Sequence, residues 1–192
     1  MPIAPEEFRK LGNATLLELP KTAFFCSRQY PDTVEPLTYL WALEQRAQGL
    51  CVLSGFHSML EQKVFRYLLQ GPQQPIIYAL GRGIQPNLRM EYGPEIEAGR
   101  LLFITPFEPN ESTVTQDTAD IRNLLIADLA DQFFIPYISP QGNLMRLLDT
   151  LQLQHQHKPI LTLDIPQNQA LLERGAAPFH SSGILGLHGL PL

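Results

Sequence analysis

Residues 22–29 read Thr22-Ala-Phe-Phe-Cys-Ser-Arg-Gln29, an apolar run that breaks at once into a polar, arginine-bearing turn. Apolarity that is continuous rather than alternating marks a strand covered on both faces, as in a parallel sheet. The same pattern recurs downstream. Leu50-Cys-Val-Leu-Ser54 precedes Gly55-Phe56-His57-Ser58, and Ile76-Ile-Tyr-Ala-Leu80 precedes Gly81-Arg82-Gly83. Phe133-Phe-Ile-Pro-Tyr-Ile138 precedes Ser139-Pro-Gln-Gly-Asn143, and Leu101–Thr105 and Ile160–Leu163 are two further runs. Between them lie stretches of helical spacing: Glu35–Gln48, Ser58–Leu69, Asp117–Asp131 and Asn143–Gln154. In the first of these Leu37, Leu40, Trp41 and Leu43 fall on one side, and Gly49 is its stop. Strand and helix in alternation predict right-handed crossovers and a three-layer α/β fold, an open parallel sheet with helices on both faces. Residues 21–178 read as that domain, 1–20 as a lead-in, 179–192 as a flexible tail, and Phe107–Thr118 as a long loop.

Composition narrows the function. The chain has 192 residues with 19 acidic and 14 basic side chains, a formal net charge of −5. A protein that holds nucleic acid by bulk attraction is usually basic, so a phosphate site here must be a local concentration of positive charge. Ten of the 14 basic residues are arginine, whose planar fork matches phosphate oxygens. No apolar run reaches about 18 residues, which argues against a membrane span. Met1–Lys10 does not read as a signal peptide. Two cysteines, Cys26 and Cys51, fit a reducing cytoplasm. His155 and His157 do not share a helical face, so no metal pair is expected. Neither Gly-x-Gly-x-x-Gly after the first strand nor a P-loop occurs, so no nucleotide cofactor is expected.

In parallel sheets ligands gather outside the carboxyl ends of the strands, where strand order reverses. The residues that follow the strands are therefore the site candidates: Ser27 and Arg28; Ser54, Gly55, His57 and Ser58; Gly81, Arg82 and Gly83; Gly142 and Asn143. Helix N-termini at such a rim supply free N–H groups and partial positive charge, which suit phosphate.

The order of these motifs resembles the Rossmann-like core of the DNA-processing protein A (DprA/Smf) family over about residues 12–178. Cys26-Ser27-Arg28 stands for the family's Gly-Ser-Arg, and Ser54-Gly55-Phe56-His57-Ser58-Met59-Leu60-Glu61 for its Ser-Gly-x-Ala-x-Gly-Ile-Asp. Leu80-Gly81-Arg82-Gly83 matches Leu-Gly-x-Gly, and Arg122-Asn123 matches an Arg-Asn pair that opens a helix. Gly142 and Leu144 remain of Ser-Gly-Ser-Leu, and Asn168 to Ala176 matches Asn-x-x-Leu-Ile-x-x-Gly-Ala. Met59, Glu61, Phe65, Ala119 and Leu124 depart from the pattern; Ala119 stands where a stacking phenylalanine is usual. The resemblance implies single-stranded DNA as ligand, with Arg122 and Asn123 added to the site, a RecA-type recombinase as partner, and pairing into a homodimer. Two other readings compete. One is a nucleotide-binding protein or hydrolase of the lysine-decarboxylase-like (LOG) group, although the Pro-Gly-Gly-x-Gly-Thr motif is reduced here to Ser139-Pro-Gln-Gly142-Asn143. The other is a scaffold without ligand. The expectation is non-enzymatic binding of a phosphate ligand at the strand rim.

Overall fold

A computed structural model describes residues 8–154 and 157–181. Its strands are β1 (Arg9–Gly12), β2 (Lys21–Phe24), β3 (Cys51–Ser54), β4 (Ile76–Ala79), β5 (Leu101–Thr105), β6 (Gln132–Ile135), β7 (Ile160–Leu163) and β8 (Ala177–Phe179). They form one sheet in the order β1-β5-β4-β3-β2-β6-β7-β8. Every neighbouring pair is parallel except β1–β5. The helices are α1 (Val34–Gln48), α2 (Met59–Leu69), α3 (Asn87–Glu91), α4 (Gly93–Glu97), α5 (Gln116–Leu129), α6 (Asn143–Leu153) and α7 (Gln169–Glu173). The three-layer α/β arrangement is the one the apolar runs predict.

The layers follow from the period of two along each strand. Ala23 and Phe25 point into one core, with α5, α6 and α7 over it, while Phe24 and Cys26 point into the other, beneath α1 and α2. The second core is aromatic. Trp41 of α1 stacks on Phe134 of β6 at 4.2 Å and on Phe24 at 5.2 Å. Full burial of each such side chain contributes roughly 1.5–3 kcal/mol, and each ring pair about 0.5–1.5 kcal/mol more.

From β2 the chain builds outward through β3, β4 and β5, then α5 carries it back to β6 on the other side of β2. Strand order therefore reverses between β2 and β6. Helix α5 ends without a glycine because Lys158 Nζ donates to the carbonyls of Ala127, Asp128 and Ala130 at 2.6–2.7 Å.

Both sheet edges depart from the expectation. The lead-in contributes β1, paired antiparallel to β5. Past the last expected strand, β8 adds a parallel edge that contains Pro178, which an edge tolerates because one side of its backbone needs no partner. Both strands are short and largely exposed, so neither carries the apolar run that reveals a central strand. Ser181 Oγ donates to Glu44 Oε1 at 2.8 Å, so the first residues of the expected tail rest on α1. The remainder of that tail, with His188, and also His155, lie outside the described residues. No helix among the described residues is long and apolar enough to cross a membrane.

One buried amide holds the β6 and β7 ends together. Asn168 Nδ2 donates to Pro136 O, Thr162 Oγ1 and Leu163 O at 2.7, 2.9 and 3.0 Å. Asn168→Ala removes the donor of Pro136 O in the interior, while Leu163 O keeps its bond from Ile165 N and Thr162 Oγ1 its bond to Ile135 O, and is expected to cost about 1–3 kcal/mol. Urea unfolding measures this; a loss below about 0.5 kcal/mol, the size of an ordinary surface change, would show that the amide is dispensable.

Candidate functional site

A cleft of about 360 Å³ opens at the reversal point, above the carboxyl ends of β2 and β6. Phe25 and Cys26 form its floor. Ser27, Arg28 and Gln29 of the β2–α1 loop line one side, with His57, Ser58 and Glu61 beside them. The opposite side is the start of α5, with Gln116, Ala119, Arg122 and Asn123, and the β6–α6 loop, with Ser139, Gly142 and Asn143.

The loops are stitched together by hydrogen bonds. Glu61 is buried, and its Oε1 accepts from Cys26 N at 2.9 Å while Oε2 accepts from His57 N at 2.7 Å and Ser58 N at 3.0 Å. Ser58 Oγ returns the favour by accepting from Glu61 N, which completes a capping box at the start of α2. On the other flank Ser27 Oγ accepts from Ser139 N at 2.8 Å, and Ser139 Oγ donates to Gln29 O at 3.3 Å. Among the described residues, the two non-glycines with positive φ are Phe56 (41°) and Gln141 (60°), one in each rim loop. Phe56 tolerates this strained backbone because its ring is locked between Phe65 and Tyr78, at 4.8 and 5.1 Å.

Two guanidinium groups, Arg122 and Arg28, and the Glu61 carboxylate are the charged side chains of the cleft. Arg122 is 5% exposed, and its Nε and Nη2 donate to Asn123 Oδ1 at 3.2 and 3.0 Å. Among the described residues it forms no ion pair. Burial pulls its pKa below the ordinary 12.5, while the nearby Glu61 acts in the opposite sense. Arg28 is exposed, with Nη2 3.4 Å from His57 Nε2. For that contact to be a hydrogen bond the imidazole must be neutral, with its proton on Nδ1. Burial first, then Arg122 and Arg28, lower the His57 pKa from 6.5 and favour that neutral form. Burial, and then the Glu61 charge, push the Cys26 thiol far up, so it offers no thiolate at neutral pH.

Of the sequence candidates, Ser27, Arg28, His57, Ser58, Arg122, Asn123, Gly142 and Asn143 line the cleft. Ser54, Gly55, Gly81, Arg82 and Gly83 do not. Ser54 turns its hydroxyl inward to accept from Phe56 N. Gly55 lies under Arg122: a Cβ there would come within 2.6 Å of the guanidinium Nε. Gly83 is pressed against Glu108 and Pro109, where a Cβ would meet backbone at 2.1 Å, and its N–H donates to Glu111 O. Gly81 faces Val114, and the Arg82 carbonyl is held by Thr105 Oγ1. The loop expected over residues 107–118 thus covers the end of β4 and shuts it off from the cleft. Glu61, Gln29, Gln116 and Ser139 line the cleft without having been singled out as ligands; only Glu61 has a sequence signal, the Ser58-x-x-Glu61 capping pattern. No group of three or more metal-ligating side chains occurs among the described residues.

Fold and cleft together define an α/β protein with an arginine-lined cleft, a candidate ligand site, at the switch point of a mostly parallel Rossmann-like sheet. No family model and no curated protein matches the chain. Among solved structures it is similar to DNA processing protein A of Helicobacter pylori, reported for its single-stranded DNA binding mode. That likeness has a TM-score of 0.73 at 22% identity and covers 93% of this chain and 85% of that one. It is similar also to DNA processing protein A (DprA) of Streptococcus pneumoniae, at TM-score 0.70 and 17% identity, over 96% and 67% of the two chains. A molybdenum cofactor binding protein of the phototrophic bacterium Rippkaea orientalis matches more loosely, at TM-score 0.51 and 15% identity, over 81% and 83%. The fold is therefore the DprA-type Rossmann-like core.

The Glu61 staple has a direct test. Glu61→Gln turns an N–H donor toward amides that need an acceptor and is expected to cost about 2 kcal/mol; Glu61→Ala is expected to cost more. Urea unfolding gives the loss, and hydrogen exchange should quicken at the Cys26, His57 and Ser58 amides. Unchanged exchange at all three would show that the loops are held by something else.

Proposed function

We propose that the cleft recognises a phosphate of single-stranded DNA by non-covalent binding. The observation that carries this reading is Arg122, a guanidinium 5% exposed, which lines the cleft and forms no ion pair among the described residues. The nearby Glu61 offsets only part of the cost of burying that charge, and a phosphate ligand would add a directly bonded negative partner. Arg28 stands at the mouth of the same cleft and adds a second fork. The N-terminus of α6 has no side-chain cap and opens onto the cleft, so its first-turn N–H groups are available to an anion. The starts of α2 and α5 are each closed by a capping box, in which Ser58 Oγ accepts from Glu61 N and Thr115 Oγ1 from Thr118 N. The amides of Gln29, Gln116, Asn123 and Asn143 offer donors and acceptors for sugar and base edges. The similar protein from H. pylori, described for its single-stranded DNA binding mode, favours the strand over a free phosphate.

A hydrolase would need a free carboxylate or nucleophile. Glu61 already accepts three backbone N–H groups, and Cys26 is held as a thiol. A nucleotide-like small molecule is the second reading. It is favoured by the 360 Å³ volume, which falls in the range of small-molecule sites. A homodimer, a recombinase partner and a cytoplasmic location follow from the resemblance and the thiols, and sedimentation at tens of micromolar would test the first.

Titration with an oligodeoxynucleotide and with nucleotides at two salt concentrations separates the readings. DNA binding with a steep salt slope supports the first, and a nucleotide response without DNA affinity supports the second. Arg28 makes no ion pair with Asp32 among the described residues, so its loss should leave the melting temperature unchanged. Arg28→Lys is expected to lose about 1–2 kcal/mol of affinity, because lysine cannot bond two oxygens in a fork, and Arg28→Ala more. A lowered melting temperature with unaltered affinity would make Arg28 a loop brace instead.

Binding should also be proton-linked. The His57 pKa is lowered in the free protein, and an adjoining phosphate raises it by favouring imidazolium. A proton is then taken up on binding. Affinity is expected to rise as pH falls through the raised pKa of the complex, and to level off below the lowered pKa of the free protein. Isothermal titration in buffers of different ionisation enthalpy reads the uptake, and His57→Gln should abolish it. Flat affinity across that window would remove His57 from the phosphate contact.

A further inference from the structure

The cleft does not end at Arg28. Arg28 and Gln29 also line an open groove of about 770 Å³ that runs along the start of α1 and past the start of α2. Tyr30, Tyr39 and Met59 give it apolar, flat surfaces, and Met59 is 68% exposed. The aromatic line continues beyond it. Tyr39 meets Tyr67 of α2 edge-on at 5.7 Å, and the Arg46 guanidinium lies 4.4 Å over the Tyr67 ring. From Tyr39 to Arg46 is about two helical turns, roughly 10 Å of further track.

The groove's charge also suits a polyanion. Its acids are Asp32 and Glu35. Glu35 is neutralised by Lys63 Nζ at 2.8 and 2.9 Å and accepts from Tyr30 Oη at 3.1 Å. Burial, then Glu35, raise the pKa of the Tyr39 phenol, while Lys63 and Arg66 are near enough to oppose them. Beyond the Lys63–Glu35 pair, three cations, Arg28, Arg46 and Arg66, stand along this line with one further acid of the groove, Asp32. Inside the cleft the position of the usual stacking ring is Ala119, and the aromatic floor, Phe25, is 4% exposed. Bases find no platform there. Rings interleaved with cations outside the cleft are the surface on which a single strand stacks its bases.

We propose that a single DNA strand whose phosphate sits in the cleft leaves it along the α1–α2 groove, stacking successive bases on Tyr30, Tyr39 and Tyr67. This rests on the DNA reading of the cleft, and its test is built to fail separately. Oligothymidylates from a dinucleotide to a dodecamer are titrated by fluorescence anisotropy against the wild-type chain, Tyr39→Leu, Arg66→Gln and Arg28→Ala. Leucine keeps the apolar bulk of Tyr39 without its π-face, and Arg66 is exposed, so circular dichroism and melting should match the wild type. Wild-type affinity is expected to climb with length. Tyr39→Leu should bind the dinucleotide normally but lose about 5- to 100-fold of the gain on lengthening, the equivalent of one stacked base. Arg66→Gln should reduce the salt slope for the dodecamer by about 0.7, one phosphate contact on a single strand. Arg28→Ala should weaken every length. If both groove variants keep the full gain with length while Arg28→Ala loses affinity throughout, the groove is not the path and the cleft reading survives. If the wild type binds no oligothymidylate at any length, both readings fall.

Discussion

The geometry of the rim depends on one buried carboxylate. Glu61 gathers N–H groups from two loops that follow different strands, Cys26 after β2 and His57 and Ser58 before α2. Without it those amides would face the interior unpaired, and the two loops would have no shared anchor. The choice has an electrostatic consequence. A helix N-terminus at a strand rim is ordinarily the anion site, but here the protein's own carboxylate fills the N-terminus of α2. Attraction for an external anion must then come from side chains and from the α6 terminus. The fold answers with Arg122 below and Arg28 above, within reach of the same cleft. The Glu61 charge near Arg122 also makes burial of that guanidinium less costly.

Gly55 shows how packing and charge are joined. The Arg122 side chain crosses the loop after β3 so closely that a single methyl group on residue 55 would strike it. The glycine is there for the side chain of a residue far along the chain, Arg122 of α5, rather than for a turn of its own. Phe56, the next residue, is driven to positive φ and held by the aromatic cluster around Phe65 and Tyr78. Residue 65 is a histidine in the family that the sequence resembles; here its phenyl ring is part of the clamp on the rim loop. The departure from the family pattern thus has a structural use in this chain.

The central strands were legible because each is an unbroken apolar run, and the rim could be located because a parallel sheet puts every strand's carboxyl end on one side. Arg28 and Ser27 needed nothing more than that. Arg82 and Gly83 obeyed the same local rule and still fall outside the cleft, since the loop around Glu108–Val114 folds over them. Whether a polar loop covers a strand end is decided by contacts distant in sequence, and no local pattern reports it. The edge strands escaped for the converse reason. Arg9–Gly12 and Ala177–Phe179 are set by pairing to a neighbour, not by an apolar run of their own. Gln29, Gln116 and Ser139, which complete the cleft wall, are ordinary loop and helix residues whose meaning appears only when α5 and α6 converge.

The net charge of −5 argued against a protein held to nucleic acid by bulk attraction, and the structure shows how an acidic chain reconciles that with a cationic site. Some of its acids are paired locally. Glu35 is tied to Lys63, Glu95 to Arg100, Asp149 to Arg174 and Glu108 to Arg9. Exposed pairs of this kind contribute little to stability, about 0–1 kcal/mol each, but they cancel field near the surface. Among the described residues Arg28 and Arg122 form no ion pair, and both guanidinium groups line one cleft. On a chain of net negative charge bulk attraction for phosphate is weak, so binding depends on local groups such as the two guanidinium groups and the uncapped α6 N-terminus that face one cavity.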